Sequence, residues 1–254
     1  MVSARMRSRV KRRKTIADIG EIVLGVLIAL ALGTVASEIG WKLEIFQARR
    51  AIANELGEII GQGRQRASAD GCVEARLDDI AAILDRAESA RRLPEIGSLG
   101  DPMFRTWSTG VWDSTRSAQI ASKMGREEQD DLSGVYRFVD FINRATDEEL
   151  AAWGELYGIV GPGRAIEAGE IAALRAALGK ARMAHRQIAT AGLLVDEYSR
   201  KLSLPVNADA VAQYSRSSLP PPCGPLPPYR GEKYGSAPLA GGVDRVRARL
   251  ESGG

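Results

Sequence analysis

The least interrupted apolar run lies near the start of the chain. Between Glu21 and Glu38 sit sixteen residues without a charge, Ile22 to Ser37. As a helix rising about 1.5 Å per residue they span roughly 24 Å, somewhat less than the ~30 Å hydrocarbon core of a bilayer. Extending the helix to residues 16–41 closes the gap. Asp18 and Glu21 then fall at one interface and Trp41 at the other, where an amphipathic indole is favoured. A transmembrane helix is therefore expected over residues 16–41. The apolar pattern does not stop there. Ile39, Leu43 and Phe46 continue it, and Ile45, Ile52 and Ile59 recur every seven residues with Leu56 and Ile60 beside them. This predicts a helix leaving the bilayer and running to about Ile60, where Gly61, Gly63 and Gly71 loosen the chain. Two alternatives stand beside the anchor. A cleaved signal peptide would use the small residues near Thr34-Val35-Ala36, but is normally followed by a break in the pattern. The core helix of a soluble protein leaves the cations that precede it unexplained.

Downstream, the spacing is helical throughout. Val73, Leu77, Ile80, Ile83, Leu84 and Ala87 form one stripe, with Asp70 as its expected N-cap and Pro94 as its stop. A loop over residues 94–110 and a short helix from Trp112 to Met124 come next. Leu132, Val135, Tyr136, Val139 and Ile142 make a second stripe. Thr146 to Glu149 reads as a capping box that starts another helix carrying Leu150, Trp153, Leu156, Tyr157 and Val160. After Gly161-Pro162-Gly163 a long helix is predicted from about Arg164 to Leu202, with Ile171, Leu174, Leu178, Ala181, Ile188 and Val195 inward. Such stripes are buried only against one another. The expected fold is all-α: an antiparallel helical bundle over residues 42–204, tethered by the transmembrane helix. From Pro205 the composition changes, and eight of the eleven prolines fall between positions 205 and 238. Residues 205–254 are expected to be an extended tail, a surface strap or a proline-rich ligand, with a short terminal helix at Val243 to Leu250.

Charge adds orientation. Residues 1–14 hold seven of the 35 Lys and Arg and no acid, which leaves 28 basic against 32 acidic residues in the remainder. A basic arm over residues 1–15 stays on the cytoplasmic side by the positive-inside rule, so the bundle lies outside, in the periplasm of a Gram-negative host. The arm contacts anionic lipid. It lacks aromatic residues, so no nucleic-acid partner is expected. The stretch "IGEIVLGVLIALAL" (Ile19 to Leu32), the Trp41 that follows it and "GVWDSTRSAQIA" (Gly110 to Ala121) resemble a group of uncharacterised bacterial single-pass membrane proteins. That resemblance implies an anchored helical protein and supplies no active site.

Candidate chemistry is thin. Gly25, Ala29, Gly33 and Ser37 recur every four residues, a small-residue face on which two spans would self-associate as a homodimer. The two cysteines, Cys72 and Cys223, are expected to bridge in an oxidising compartment, the alternative being two unrelated thiols. The one histidine, His185, falls on an inward register, where a hydrogen-bonded core residue is expected. A single histidine excludes multi-histidine metal sites. The acidic runs Glu127, Glu128, Asp130, Asp131 and Asp147 to Glu149 are expected to complement helix dipoles. "GPGR" (Gly161 to Arg164) reads as a turn, and Trp107, Trp112 and Trp153 as core anchors, with an anion site and a ligand pocket as the respective alternatives. No catalytic, cofactor or metal residue is nominated. The expected role is interaction, scaffolding or sensing with a membrane or periplasmic protein partner. A tethered or secreted enzyme using unassigned carboxylates is the alternative.

Overall fold

Helix α1 is a single α-helix, Ser3–Ser68, 66 residues long and so about 100 Å from end to end. The computed structural model to which it belongs describes residues 3–100, 102–202, 204–216 and 224–230, with side chains from Val23 onward. Five helices follow: α2 Asp70–Ala90, α3 Gly110–Ser117, α4 Arg126–Leu156, α5 Ala168–Ser199 and α6 Ala208–Arg216. Single 3-10 turns precede and follow α4, at Ala121–Lys123 and Tyr157–Ile159. Among the described residues there is no extended strand, only two isolated bridges between the loops at 92–96 and 161–165. The fold is all-α.

The apolar part of α1 packs on nothing. Its most apolar window has a mean hydropathy of 2.0 and no buried residue, and it is long and apolar enough to cross a membrane. Packing begins where α1 reaches Trp41, whose ring lies 5.3 Å from the Lys123 ammonium, a cation–π contact with the first 3-10 turn. Beyond it Ala48, Ile52, Leu56 and Ile59 are buried.

Two apolar cores are stacked along the bundle. The nearer one joins α1, α3, the first half of α4 and the last half of α5 around Ile52, Leu56, Trp112, Leu132, Ile142 and Val195. The farther one joins α2, the second half of α4 and the first half of α5 around Leu77, Leu84, Trp153, Leu156, Ile171 and Leu178. Antiparallel α4 and α5 therefore run through both cores, while α1 and α2 share the third flank end to end.

Several expected boundaries are corrected. α1 does not end at Ile60: it runs through Gly61 and Gly63 to Ser68, and neighbours come close at Gly57 and Gly61. A Cβ on Gly61 would lie 2.6 Å from the Tyr214 Cβ, and one on Gly57 would lie 2.6 Å from the Asn207 carbonyl oxygen. The glycines seat α6. That helix itself contradicts an extended tail from Pro205 onward. Residues 206–216 contain no proline, and the Asn207 side-chain oxygen accepts from the Asp209 and Ala210 amides at 2.9 and 3.3 Å, a local N-cap. Thr146 starts no helix. α4 continues through it, and its hydroxyl bonds back to the Ile142 carbonyl at 2.8 Å. Asp70 opens α2 as its first residue, with Ala69 at the cap position. α3 stops at Ser117 and α5 starts only at Ala168. The strap expectation holds for residues 224–230, which lie over α2 and the loop after it. Arg76 Nη2 donates to the Gly224 carbonyl at 2.8 Å, the Gly97 amide donates to the Pro227 carbonyl at 2.7 Å, and Leu226 packs on the farther core. The terminal stretch Val243 to Leu250 lies outside the described residues, as does Cys223.

Candidate functional site: buried ionic junction and open groove

The heptad of α1 explains where its polar core groups come from. Ile45, Ile52 and Ile59 are followed at the same spacing by Arg66, so an arginine occupies the next inward position. On α4 the series Ile142, Glu149, Leu156 puts a carboxylate on an inward register in the same way. The two meet between the apolar cores. Arg66 Nη2 donates to Glu149 Oε1 and also to His185 Nδ1, the latter at 3.0 Å, and Arg66 Nη1 donates to the Pro102 carbonyl. Arg66, Glu149 and His185 are all at most 4% exposed. Because Nδ1 of His185 accepts from an arginine, the ring proton is assigned to Nε2. That atom lies 2.8 Å from Asp70 Oδ1, close to it though poorly aligned for a hydrogen bond. Four helices and the loop at residue 102 are thus tied at one point.

This junction is built to hold. A carboxylate clamped by a guanidinium is a poor general base, and neither Glu149 nor His185 lines any groove described here. His185 is the buried, hydrogen-bonded core residue that its register predicts. Glu149 was expected on a helix N-terminus and is instead fully buried, since α4 does not break at Thr146.

A second buried carboxylate, Glu55, was missed by sequence reasoning. Its Oε1 accepts from the Ser108 hydroxyl at 2.8 Å and the Val111 amide at 3.0 Å. Its Oε2 accepts from the Tyr136 hydroxyl at 2.6 Å and the Trp112 amide at 3.3 Å. A side chain of α1 therefore caps α3, a helix with no side-chain cap of its own. Burial, then the Glu55 carboxylate, pushes the Tyr136 hydroxyl pKa far above the usual tyrosine value. The signal was present: Glu55 stands among Ile52, Leu56 and Ile59 on the buried side of α1.

The remaining nominated residues have structural places. Trp107, Trp112 and Trp153 are core anchors, and Trp112 stacks on Tyr136 with ring centroids 5.4 Å apart. Glu128 forms a two-point ion pair with Arg49, both bonds 2.7 Å, and with Glu127 lies in the first turn of α4. The Gly161-to-Arg164 segment is a turn. Gly161 exchanges backbone hydrogen bonds with Ile96 at 2.9 and 3.0 Å, so these amide and carbonyl groups are used within the fold. Cys72 is disulfide-bonded. Among the described residues, no three His, Cys, Asp or Glu side chains converge to hold a metal ion.

The grooves lie elsewhere. A groove of about 1000 Å³ runs between α4 and α5, floored by Phe138, Phe141, Met183, Leu194 and Tyr198. A smaller one of about 670 Å³ lies between α1, α5 and α6. Set against known proteins, the chain matches no protein-family model, no curated protein and no solved structure.

Proposed function

We propose that this is a single-pass inner-membrane protein of a bacterium, with its basic arm cytoplasmic and its helical bundle periplasmic, and that the bundle is an interaction or scaffolding domain. One observation carries the reading. α1 passes without a break from an unburied apolar stretch into the core of the bundle. A helix whose far half is a core strut is not disposable in the way a signal peptide is. The resemblance of Ile19 to Leu32 to uncharacterised single-pass proteins agrees with this.

Two further elements belong to the same reading. The face Gly25, Ala29, Gly33, Ser37 lies roughly 120° round α1 from the face of Ile45, Ile52 and Ile59 that meets the bundle. Gly25 and Gly33 have nothing within 4 Å of a Cβ position, so a homodimer through the span leaves the bundles clear of one another. Cys72 is read as paired with Cys223, the one other cysteine of the chain. Arg76, one turn further along α2, holds Gly224. Such a bridge belongs to an oxidising compartment.

The enzyme reading has less to draw on, because the two buried carboxylates among the described residues, Glu55 and Glu149, are engaged in holding helices together. The deciding experiment fuses a reporter active only outside the cytoplasm after Gly254, fractionates the cells and weighs the product. Full-length protein in the membrane with an active reporter supports the proposal. A soluble product shortened by the first 36 or so residues, or a membrane product with a silent reporter, overturns the anchor or the orientation respectively.

A further inference from the structure

We infer that the α4–α5 groove is a docking site for an acidic amphipathic helix of a partner protein, one that carries carboxylates seven residues apart beside an apolar face. The inference rests on the bundle being an interaction domain, and is independent of which way the chain crosses a membrane.

Shape comes first. The α4 wall runs from Gly134 to Arg144 and the α5 wall from Gly179 to Tyr198, about 15 Å and 28 Å of helix. That is the footprint of a helix of roughly three to five turns. Nothing lies within 4 Å of a Cβ position on Gly179, and on Gly134 only a guanidinium nitrogen of Arg137 comes within 4.0 Å, so both walls are cut back at these glycines. The floor is apolar and left open to solvent: Met183 is 64% exposed, Tyr198 42% and Phe141 36%. A single lipid chain in so open a trough would keep much of its surface in water, whereas small-molecule sites bury most of their ligand. A helix laid along the trough covers the floor with its own apolar face. Met183 supplies an adaptable contact for it.

Charge selects the occupant. Four arginines line the groove, Arg137, Arg144, Arg182 and Arg186, and no Asp or Glu does. Arg182 and Arg186 are held by Asp78 and Glu74 of α2. Arg137 and Arg144 take part in none of the ion pairs among the described residues. They stand seven residues apart on α4, about 10.5 Å along its axis. Carboxylates two turns apart on an incoming helix match that spacing. The chain's own basic segments have the wrong sign. Residues 1–14 carry seven cations and no acid, and Val243 to Leu250 carries three arginines and one aspartate.

The test uses the full chain in nonionic detergent and a fluorescent synthetic helix of about 18 residues. The probe has leucines along one face, two glutamates seven residues apart at its edge, and alanine and glutamine elsewhere. A second probe has lysine in place of each glutamate. By fluorescence anisotropy the acidic probe binds at least about tenfold tighter than the basic one, and the double variant Arg137→Glu/Arg144→Glu, both on the helix surface, reverses the preference. Equal binding of both probes, no saturable binding of the acidic probe, or an unchanged preference in the double variant each overturns the inference. So does displacement of the acidic probe by dodecanoate below its micelle concentration, which would assign the groove to lipid. Loss of the groove leaves the fractionation result intact, and a soluble shortened product leaves the groove intact, so the two readings fail separately.

Discussion

At the scale of single residues, the bundle depends on charged groups placed where the apolar pattern asks for isoleucine or leucine. Arg66 and Glu149 illustrate the cost. Removing ions from water is expensive, and the pair repays this only while both partners are present. Arg66→Ala strands Glu149, which is 0% exposed, and is expected to lose about 3–5 kcal/mol in urea unfolding followed by tryptophan emission. The double change Arg66→Met/Glu149→Leu recovers most of that loss. If the single variant costs no more than the double one, the pair is not the tie described here. Tyr136 gives a pH signature. Its folded pKa is raised, so the folded state keeps a proton that the unfolded chain releases above about pH 10. The associated stability is fully present below that pH and falls as pH rises further, by about 1.4 kcal/mol per pH unit. Tyr136→Phe should flatten the fall, as read by alkaline unfolding of the two proteins in parallel. These roles were only half legible. Arg66 and Glu149 sit on visible heptads, but sequence alone gives no way to see that residues 83 positions apart face each other.

At the scale of elements, existence and type were readable and ends were not. The stripes on α2, α4 and α5 predicted most of the large buried apolar side chains, but Leu150, placed on the stripe of Trp153 and Leu156, is 52% exposed, and the buried Arg76, Ala177, Ala184 and Ser199 lay outside the predicted stripes. Ends failed where a local signal competed with packing. Thr146 has a cap-forming sequence, yet its neighbours Ala145 and Glu149 are buried by α5 and α1, and the helix continues. Gly61 looked like a breaker and is, with Gly57, a contact point, because a smooth backbone lets α6 approach. Replacing Gly61 with alanine sets a methyl 2.6 Å from Tyr214 Cβ and 2.7 Å from the Val211 carbonyl oxygen. Overpacking of this kind costs about 1–3 kcal/mol, here confined to α6. Hydrogen exchange of residues 207–216 should rise at least tenfold in Gly61→Ala, while α4 and α5 stay protected. Uniform loosening of the whole bundle would refute a local role. α6 itself went unread because the prolines on both sides dominated the composition of the tail.

At the scale of the whole molecule, the all-α architecture and the apolar N-terminal helix followed from periodicity. The stacking of two cores did not, since it depends on α1 and α2 sharing one flank. The strap over residues 224–230 closes the farther core from outside. A bridge between Cys72 and Cys223 would shut a loop of about 150 residues, worth roughly 4–5 kcal/mol in the chain-entropy picture. Reduction without denaturant should therefore expose the tail to protease and lower the melting temperature, and Cys72→Ser should do the same without reductant. A variant that melts with the oxidised parent would argue against the pairing. The continuity of α1 has a mechanical side. From Trp41 to Ser68 it is a rigid arm about 40 Å long, and a 10° change in tilt of the apolar half would swing its tip by about 7 Å. Because Arg66 is fastened near that tip to α4 and α5, the displacement is delivered to the farther core instead of being absorbed in a hinge. In bilayers of increasing thickness, spin labels on the exposed side of α2 should shift their depth relative to the lipid surface by several ångströms. With two glycines inserted after Trp41 that response should vanish. With the apolar half of α1 in a bilayer, as proposed, α1 would act as a lever whose fulcrum is the membrane surface.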